Sequence, residues 1–271
     1  MKLLEGEAMV ITQKEGHIAT IMINRPEKLN SLNQELVSAL TRAIQEVNRE
    51  KEIQIVVITA AGERAFIGGV DLHVFINLDP AAAEQFITDL HRCFLCIRES
   101  EKLFIASING HTLGGGLELA ASCDLRISSE TAKFGMPEVK VGVPSVIEAA
   151  YLPRLIGLGR AAELIYTGKI IDAVEAERIG LVNKIVAGAK LKDETRKYAE
   201  KILENGPTAL VLQKKLIAGW MALSFNASIE AGIKYFREVF KTADPSEGAR
   251  AFLERRKPAY ATQSKIRFGG K

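Results

Sequence analysis

The chain has 271 residues, 47% hydrophobic and 25% charged, a composition that excludes disordered, fibrous and collagen-like classes and leaves room for one sizeable core with an appendage. A formal net charge of +3 gives no argument for nucleic acid, and no apolar run reaches the length of a membrane span, so neither kind of partner is expected. Three cysteines, with no leader-type apolar core at residues 1–7, argue against a disulfide framework and for a cytoplasmic protein. Basic residues gather late, at Arg250, Arg255, Arg256, Lys257, Lys265, Arg267 and Lys271, which suits either a phosphorylated small ligand or plain solvation.

In chain order, strand patterns at 8–12 and 18–24 flank a turn at Lys14, Glu15 and Gly16. Ser31 and Gln34 form the expected capping box of an amphipathic helix whose apolar face is Leu36, Val37, Leu40, Ile44 and Val47. The run 53–59 is apolar without alternation, as in a strand covered on both faces of a parallel sheet. A glycine-containing turn at 61–71 enters a helical stretch, and a longer helical pattern spans 81–98. Cys93 and Cys96 match a CxxC pattern. They sit within the helical set Phe86, Ile87, Leu90, Phe94 and Leu95 with no second pair, so they read as packing. His17, His73, His91 and His111 are scattered without ligand spacing, and no metal site is expected. His111 reads as a local turn residue, with site lining as the alternative.

The stretch that organises the rest begins with a buried strand at 104–108 and passes through Gly114, Gly115 and Gly116 into a short apolar helix carrying one carboxylate, Glu118. An ionised group in such a helix is costly to bury without a partner, so it is either paired structurally or there for chemistry. Glycine backbone allows a ligand to approach closely, and N–H groups at a helix start are donors for an anion or a developing oxyanion. A further strand at 124–128 leads to a Met136-Pro137-Glu138 turn. Strands alternating with helices predict an α/β fold. From Val146 onward helix follows helix, one capped by Asp172 and Glu175 and closed by Gly180, others at 191–204, 208–222 and 229–241. Two glycine turns and two carboxylates, Glu118 and Glu138, suit reactions through an enolate, with thioesters as natural substrates. A plain turn and a helix-start acid are the alternative readings. The glycines form neither G-x-G-x-x-G nor a P-loop pattern.

These residues resemble the enoyl-CoA hydratase/isomerase, or crotonase, family. The matching segments are Ile-Asn-Arg-Pro-Glu-Lys-Leu-Asn at 23–30, Ala-Phe-Ile-Gly-Gly-Val-Asp at 65–71, Asn-Gly-His-Thr-Leu-Gly-Gly-Gly-Leu-Glu at 109–118 and Ala-Lys-Phe-Gly-Met-Pro-Glu at 132–138. Segments 152–157, 176–182 and 251–256 follow in the family's order. The resemblance implies an α/β, crotonase-like core of ββα units wound in a spiral over 1–195, and a helical region over 196–271 that serves oligomerisation and part of the CoA site. It implies hydration of a trans-2-enoyl-CoA, with the backbone N–H groups of Val70 and Gly115 as the oxyanion hole. Glu118 would activate water and Glu138 would protonate the alpha carbon. Lys28, Leu29, Phe252 and Arg255 would contact CoA, which is part of the substrate; no separate cofactor is implied. A homotrimer, or a homohexamer built as a dimer of trimers, is the implied assembly. Isomerisation, thioester hydrolysis and noncatalytic acyl-CoA binding are the alternatives. The sequence departs from the hydratase pattern at 142–151, where bulk replaces a glycine-rich segment. Glu148 there is either a third carboxylate near the site or a helix-start acid, and the latter is expected.

Overall fold

The computed structural model describes residues 8–76 and 78–260, so the expectations for residues 1–7 and for Lys265, Arg267 and Lys271 lie outside it. Strands β1 (Val10–Glu15) and β2 (Ile18–Ile23) form an antiparallel hairpin around Gly16, whose positive φ of 57° is the backbone a tight turn requires. Helix α1 (Gln34–Arg49) follows and buries the expected face. Its cap differs from expectation. Asn33, not Ser31, accepts the Leu36 N–H, at 2.9 Å. Leu32 is drawn into a parallel bridge with Val70, and this keeps the chain extended through Asn33, so the first helical turn starts two residues late.

The rest of the core repeats a pattern. Strand β3 (Ile55–Ala60) is followed by β4 (Ala65–Ile67), then helices α2 (Leu72–Phe75) and α3 (Pro80–Arg98). Strand β5 (Leu103–Ile108) is followed by β6 (His111–Leu113) and helix α4 (Gly115–Ser122). Strands β7 (Leu125–Ser129) and β8 (Lys133–Gly135) lead to 3-10 turns at Glu138–Val141 and Ile147–Tyr151. Helices α5 (Leu152–Ile156) and α6 (Leu158–Thr167), strand β9 (Ile170–Asp172), helix α7 (Ala173–Arg178) and strand β10 (Lys184–Val186) complete this part.

The first strand of each pair joins a six-stranded sheet in the order β1-β2-β3-β5-β7-β10, parallel except for the opening hairpin. The second strand joins a smaller sheet, β4-β6-β8-β9, parallel except at β8-β9. This alternation of partners is the expected spiral of ββα units. In the large sheet, side chains alternate between two covered faces. Val56 and Ile58 enter the main core beneath α1 and α3, while Ile55 and Val57 join Ile105, Ile127, Leu191 and Ala199 in a second cluster.

Helix α8 (Leu191–Leu203) covers that second face, and Thr195 hydrogen-bonds Ser107 of β5 at 3.0 Å. The expected division between 195 and 196 falls inside this helix. Helices α9 (Pro207–Ala222), α10 (Phe225–Val239) and α11 (Asp244–Leu253) follow. Helix α9 is anchored by Lys214, whose buried ammonium donates to Ile97 O at 2.9 Å, Lys102 O at 2.7 Å and Asp124 Oδ2 at 2.9 Å. Charge-assisted bonds on a desolvated cation of this kind are strong because no water competes for them. Among the described residues, no helix is long and apolar enough to cross a membrane.

Candidate active site

Three short parallel strands place the site. Pairing of Ala65 with His111 and of Leu113 with Gly135 sets the carboxyl ends of β4, β6 and β8 side by side, where open parallel sheets present ligand sites. From β4 the chain leaves through Gly68, Gly69 and Val70, from β6 into Gly114 and Gly115, and from β8 through Met136 and Pro137 to Glu138.

Two glycines make the close packing feasible. At Gly114, φ is +52° and a Cβ would collide with Glu138 Oε1, so that carboxylate oxygen lies against the start of α4. At Gly116, a Cβ would stand 2.5 Å from Ile67 O, so only glycine lets the helix lie against β4. The same packing sets Gly115 beside Val70, whose Cγ2 would be 3.7 Å from a Cβ placed on Gly115. Val70 is held by its bridge to Leu32: Leu32 N–H donates to Gly69 O and Asp71 N–H to Leu32 O, both at 2.9 Å. Because successive peptide groups alternate along an extended segment, the N–H of Val70 faces away from Leu32. At Gly115, the first residue of α4, the N–H is one of those a helix leaves without an internal acceptor. Arg25 pins the loop further, donating to Asp71 Oδ2 at 3.1 Å and Ser31 O at 3.0 Å.

The two predicted carboxylates meet at this helix. Glu118 lies in the first turn of a helix buried along its whole length, and is itself only 4% exposed. Its Oε1 accepts the Ala149 N–H at 3.0 Å. Desolvation pushes its carboxyl up to about 8; the charges of Glu138 and Glu148 push the same way, and the Ala149 hydrogen bond opposes them. Glu138 is half-buried, and its Oε2 accepts the Ser145 hydroxyl at 2.9 Å. Burial raises it too, against its own backbone N–H and Ser145. Both carboxyls are therefore biased toward their protonated forms, and Glu118, the more deeply buried, keeps its proton near neutrality. An acid and a base at the mouth of a helix, beside the N–H groups of Val70 and Gly115, can move protons on carbons next to a polarised carbonyl.

The remaining expected residues are spread more widely. Leu29 has a left-handed backbone, φ +52°, and its carbonyl accepts the Gly68 N–H at 2.9 Å, which ties it to the β4 loop. Lys28 beside it is exposed. Phe252 is 84% exposed on α11, a helix that packs on α9, and Arg255 lies just past the end of α11 with φ +52°. His111 is a strand residue, not a turn residue, opening β6 with its N–H on Arg64 O at 3.0 Å. Cys93 is buried in the core, and desolvation pushes its thiol up to about 12.

Glu148 corrects the sequence reading. It does stand in the first turn of a 3-10 helix, but it is 1% exposed and accepts from His91 Nδ1 at 2.9 Å and Arg98 Nη1 at 3.2 Å. A helix-start acid in water would have no such cage. The signal available in sequence was the spacing of His91 and Arg98, which puts an imidazole and a guanidinium on one face of a helix otherwise packed into the core.

Comparison with known proteins gives the family and the fold. Residues 13–263 match the family model described as enoyl-CoA hydratase/isomerase. The chain is 38% identical to the short-chain-enoyl-CoA hydratase of Clostridium acetobutylicum over 92% of this chain and 95% of that protein. It is likewise 38% identical to the crotonyl-CoA hydratase of Syntrophomonas wolfei, over 94% of this chain and 98% of the relative. Among solved structures, enoyl-CoA hydratase from Bacillus anthracis superposes with a TM-score of 0.90 at 33% identity, covering 94% of this chain and all, 100%, of that one. DspI of Pseudomonas aeruginosa gives a TM-score of 0.90 at 32% identity, over 95% of this chain and 98% of the neighbour. With its strand pairs divided between two sheets and its glycine turns at the ends of the smaller one, the chain belongs to the enoyl-CoA hydratase/isomerase family.

Proposed function

We propose that the protein hydrates a trans-2-enoyl-CoA to a 3-hydroxyacyl-CoA. The observation that carries this reading is the placement of two carboxyl groups, Glu138 against Gly114 and Glu118 in the first turn of the helix that Gly114 opens. The thioester oxygen accepts from the N–H groups of Val70 and Gly115, which draws electron density from the conjugated double bond. Glu118 in its carboxylate form takes a proton from water as the water oxygen bonds to the beta carbon. The pi electrons pass to the carbonyl oxygen as an enolate, and when the enolate collapses the alpha carbon takes its proton from Glu138. The elements of water are added and the carboxyl pair ends with the number of protons it began with. Burial favours the protonated form of Glu118, and the reactive form is the one in which Glu118 is ionised and Glu138 carries the proton. No cofactor beyond the CoA of the substrate enters these steps.

The CoA contacts belong to the same proposal. Leu29 and Lys28 border the β4 loop, while Phe252 and Arg255, exposed in the single chain, serve a CoA bound at a subunit boundary. Helix α10 supports such an assembly: Phe225, Ile229, Ile233, Phe236 and Phe240 repeat at helical spacing, and all are exposed. With Ile217 and Trp220 of α9 and Leu223 just past its end they form the face on which a homotrimer, alone or doubled into a hexamer, would close. On this reading 196–271 is the assembly region, and the protein acts in the cytoplasm.

Crotonyl-CoA turnover tests the reading. Loss of the enoyl signal without release of free thiol is expected, with kcat lowered about 10²- to 10⁴-fold by Glu138→Gln. Thiol release would replace hydration with thioester hydrolysis.

A further inference from the structure

Glu148 is the charged group near the carboxyl pair that the proposed reaction leaves unused. Among the described residues both of its hydrogen bonds fall on Oε1, from His91 Nδ1 at 2.9 Å and Arg98 Nη1 at 3.2 Å, while Oε2 is buried with no hydrogen-bond partner among them. The donors stand on α3, with side chains 41% and 31% exposed, so each reaches from the surface to the buried carboxylate. Arg98 also lies over the Tyr151 ring, Cζ 4.4 Å from the centroid, so α3 grips the 147–151 turn at two points. Next to the first grip, Ile147 has φ +40°, a costly conformation for a β-branched residue that persists only where its surroundings over-determine it. Between the grips, Ala149 N–H donates to Glu118 Oε1 at 3.0 Å.

We propose that Glu148, held by Arg98 and His91, is a positioning residue for hydration: it locks the 147–151 turn so that the Ala149 N–H aims the Glu118 carboxyl at the water. The inference rests on the hydratase reading of Glu118. Its second consequence is electrostatic. Glu118 faces Glu138 from the 138–141 turn and Glu148 from the 147–151 turn; Glu148 faces His91 and Arg98 from α3, a helix that also bears the buried thiol of Cys93. A like charge at Glu148 favours the protonated form of Glu118. The single proton the pair needs is thereby kept to higher pH.

Steady-state hydration of crotonyl-CoA across pH tests this, with wild type, Glu148→Gln, Arg98→Met, Arg98→Lys and Glu118→Gln compared. Glu148→Gln is expected to lower kcat about tenfold, less than the ~10²-fold of a 1 Å misplacement, with KM within about twofold. Its alkaline limb should move to lower pH by a few tenths to about one unit, as expected when a nearby like charge is removed. Arg98→Met should share the loss of kcat but, because the Glu148 carboxyl is kept, not the shift of the limb to lower pH. Arg98→Lys, which keeps a cation on Glu148, should stay within about threefold of wild type with the limb in place. Should Glu148→Gln fail to fold, the Arg98 pair decides alone. Unchanged kcat in Glu148→Gln and Arg98→Met and an unmoved limb in Glu148→Gln, with kcat lost in Glu118→Gln, would overturn this inference and leave the site reading intact. Full activity in Glu118→Gln would overturn both.

Discussion

The two sheets divide the labour of the molecule. The large sheet is built from strands of five or six residues, apart from the three-residue edge strand β10, and buries apolar side chains on both faces. Hydrophobic burial of this kind tolerates local error, because it is non-directional and summed over many side chains. The small sheet consists of strands three residues long, and each of its three parallel members releases a loop to the site. Its contribution is placement, and placement fails abruptly. A fold can therefore be secured in one layer and its chemistry in the next, with different sensitivities to the same size of change.

Substitutions in the two layers sharpen this contrast. The largest stability loss is expected in the large sheet: Phe104→Ala empties a fully buried ring position on β5 and should cost about 3–5 kcal/mol in denaturant unfolding, while the surviving folded enzyme keeps its KM and kcat. In the small sheet, Gly116→Ala forces a Cβ against Ile67 O, at 2.5 Å, and should cost only about 1–3 kcal/mol of stability yet lower kcat by about 10²-fold. If Gly116→Ala lost stability and activity in step, the division would be wrong.

A pH experiment separates the layers without touching packing. The carboxyl of Glu118 is raised from 4.5 to about 8 in the fold, so the folded state binds more protons than the unfolded chain between those values. Its contribution is fully present below pH 4.5 and is lost as pH rises through about 8, so unfolding free energy should fall across that window. Glu118→Gln should flatten this fall, and an unchanged slope would mean that the carboxyl is solvated. The smallest effect is expected at the margin: Asp172→Ala removes the cap that accepts Glu175 N–H at 2.9 Å on α7, for about 1 kcal/mol and no change in kcat.

What was legible in the sequence follows the same division. The run 53–59 announced a doubly covered strand because six consecutive positions carry a pattern, and the glycine-to-helix transition at 114–118 announced itself by composition. Strands of three residues carry no period, so β4, β6 and β8 escaped, although the loops they launch were marked by glycine and proline. The displaced cap at Asn33 had a different cause: a bridge to Val70, distant in sequence, overrode a good local motif. Glu148 was misjudged for the same reason. Its character is set by His91 and Arg98, and nothing within a few residues of it says so. Glu118 was found because a lone carboxylate among apolar residues is conspicuous wherever its partners lie.

Lys214 imposes an order of events during synthesis. Its ammonium satisfies the carbonyls of Ile97 and Lys102 and the carboxylate of Asp124, groups made more than a hundred residues earlier in two of the three cases. Until residue 214 has left the ribosome, this junction between α3, β5 and β7 must keep its water, and the large sheet cannot be sealed at that end. A nascent chain stalled short of α9 thus presents an unfinished wet seam between α3, β5 and β7.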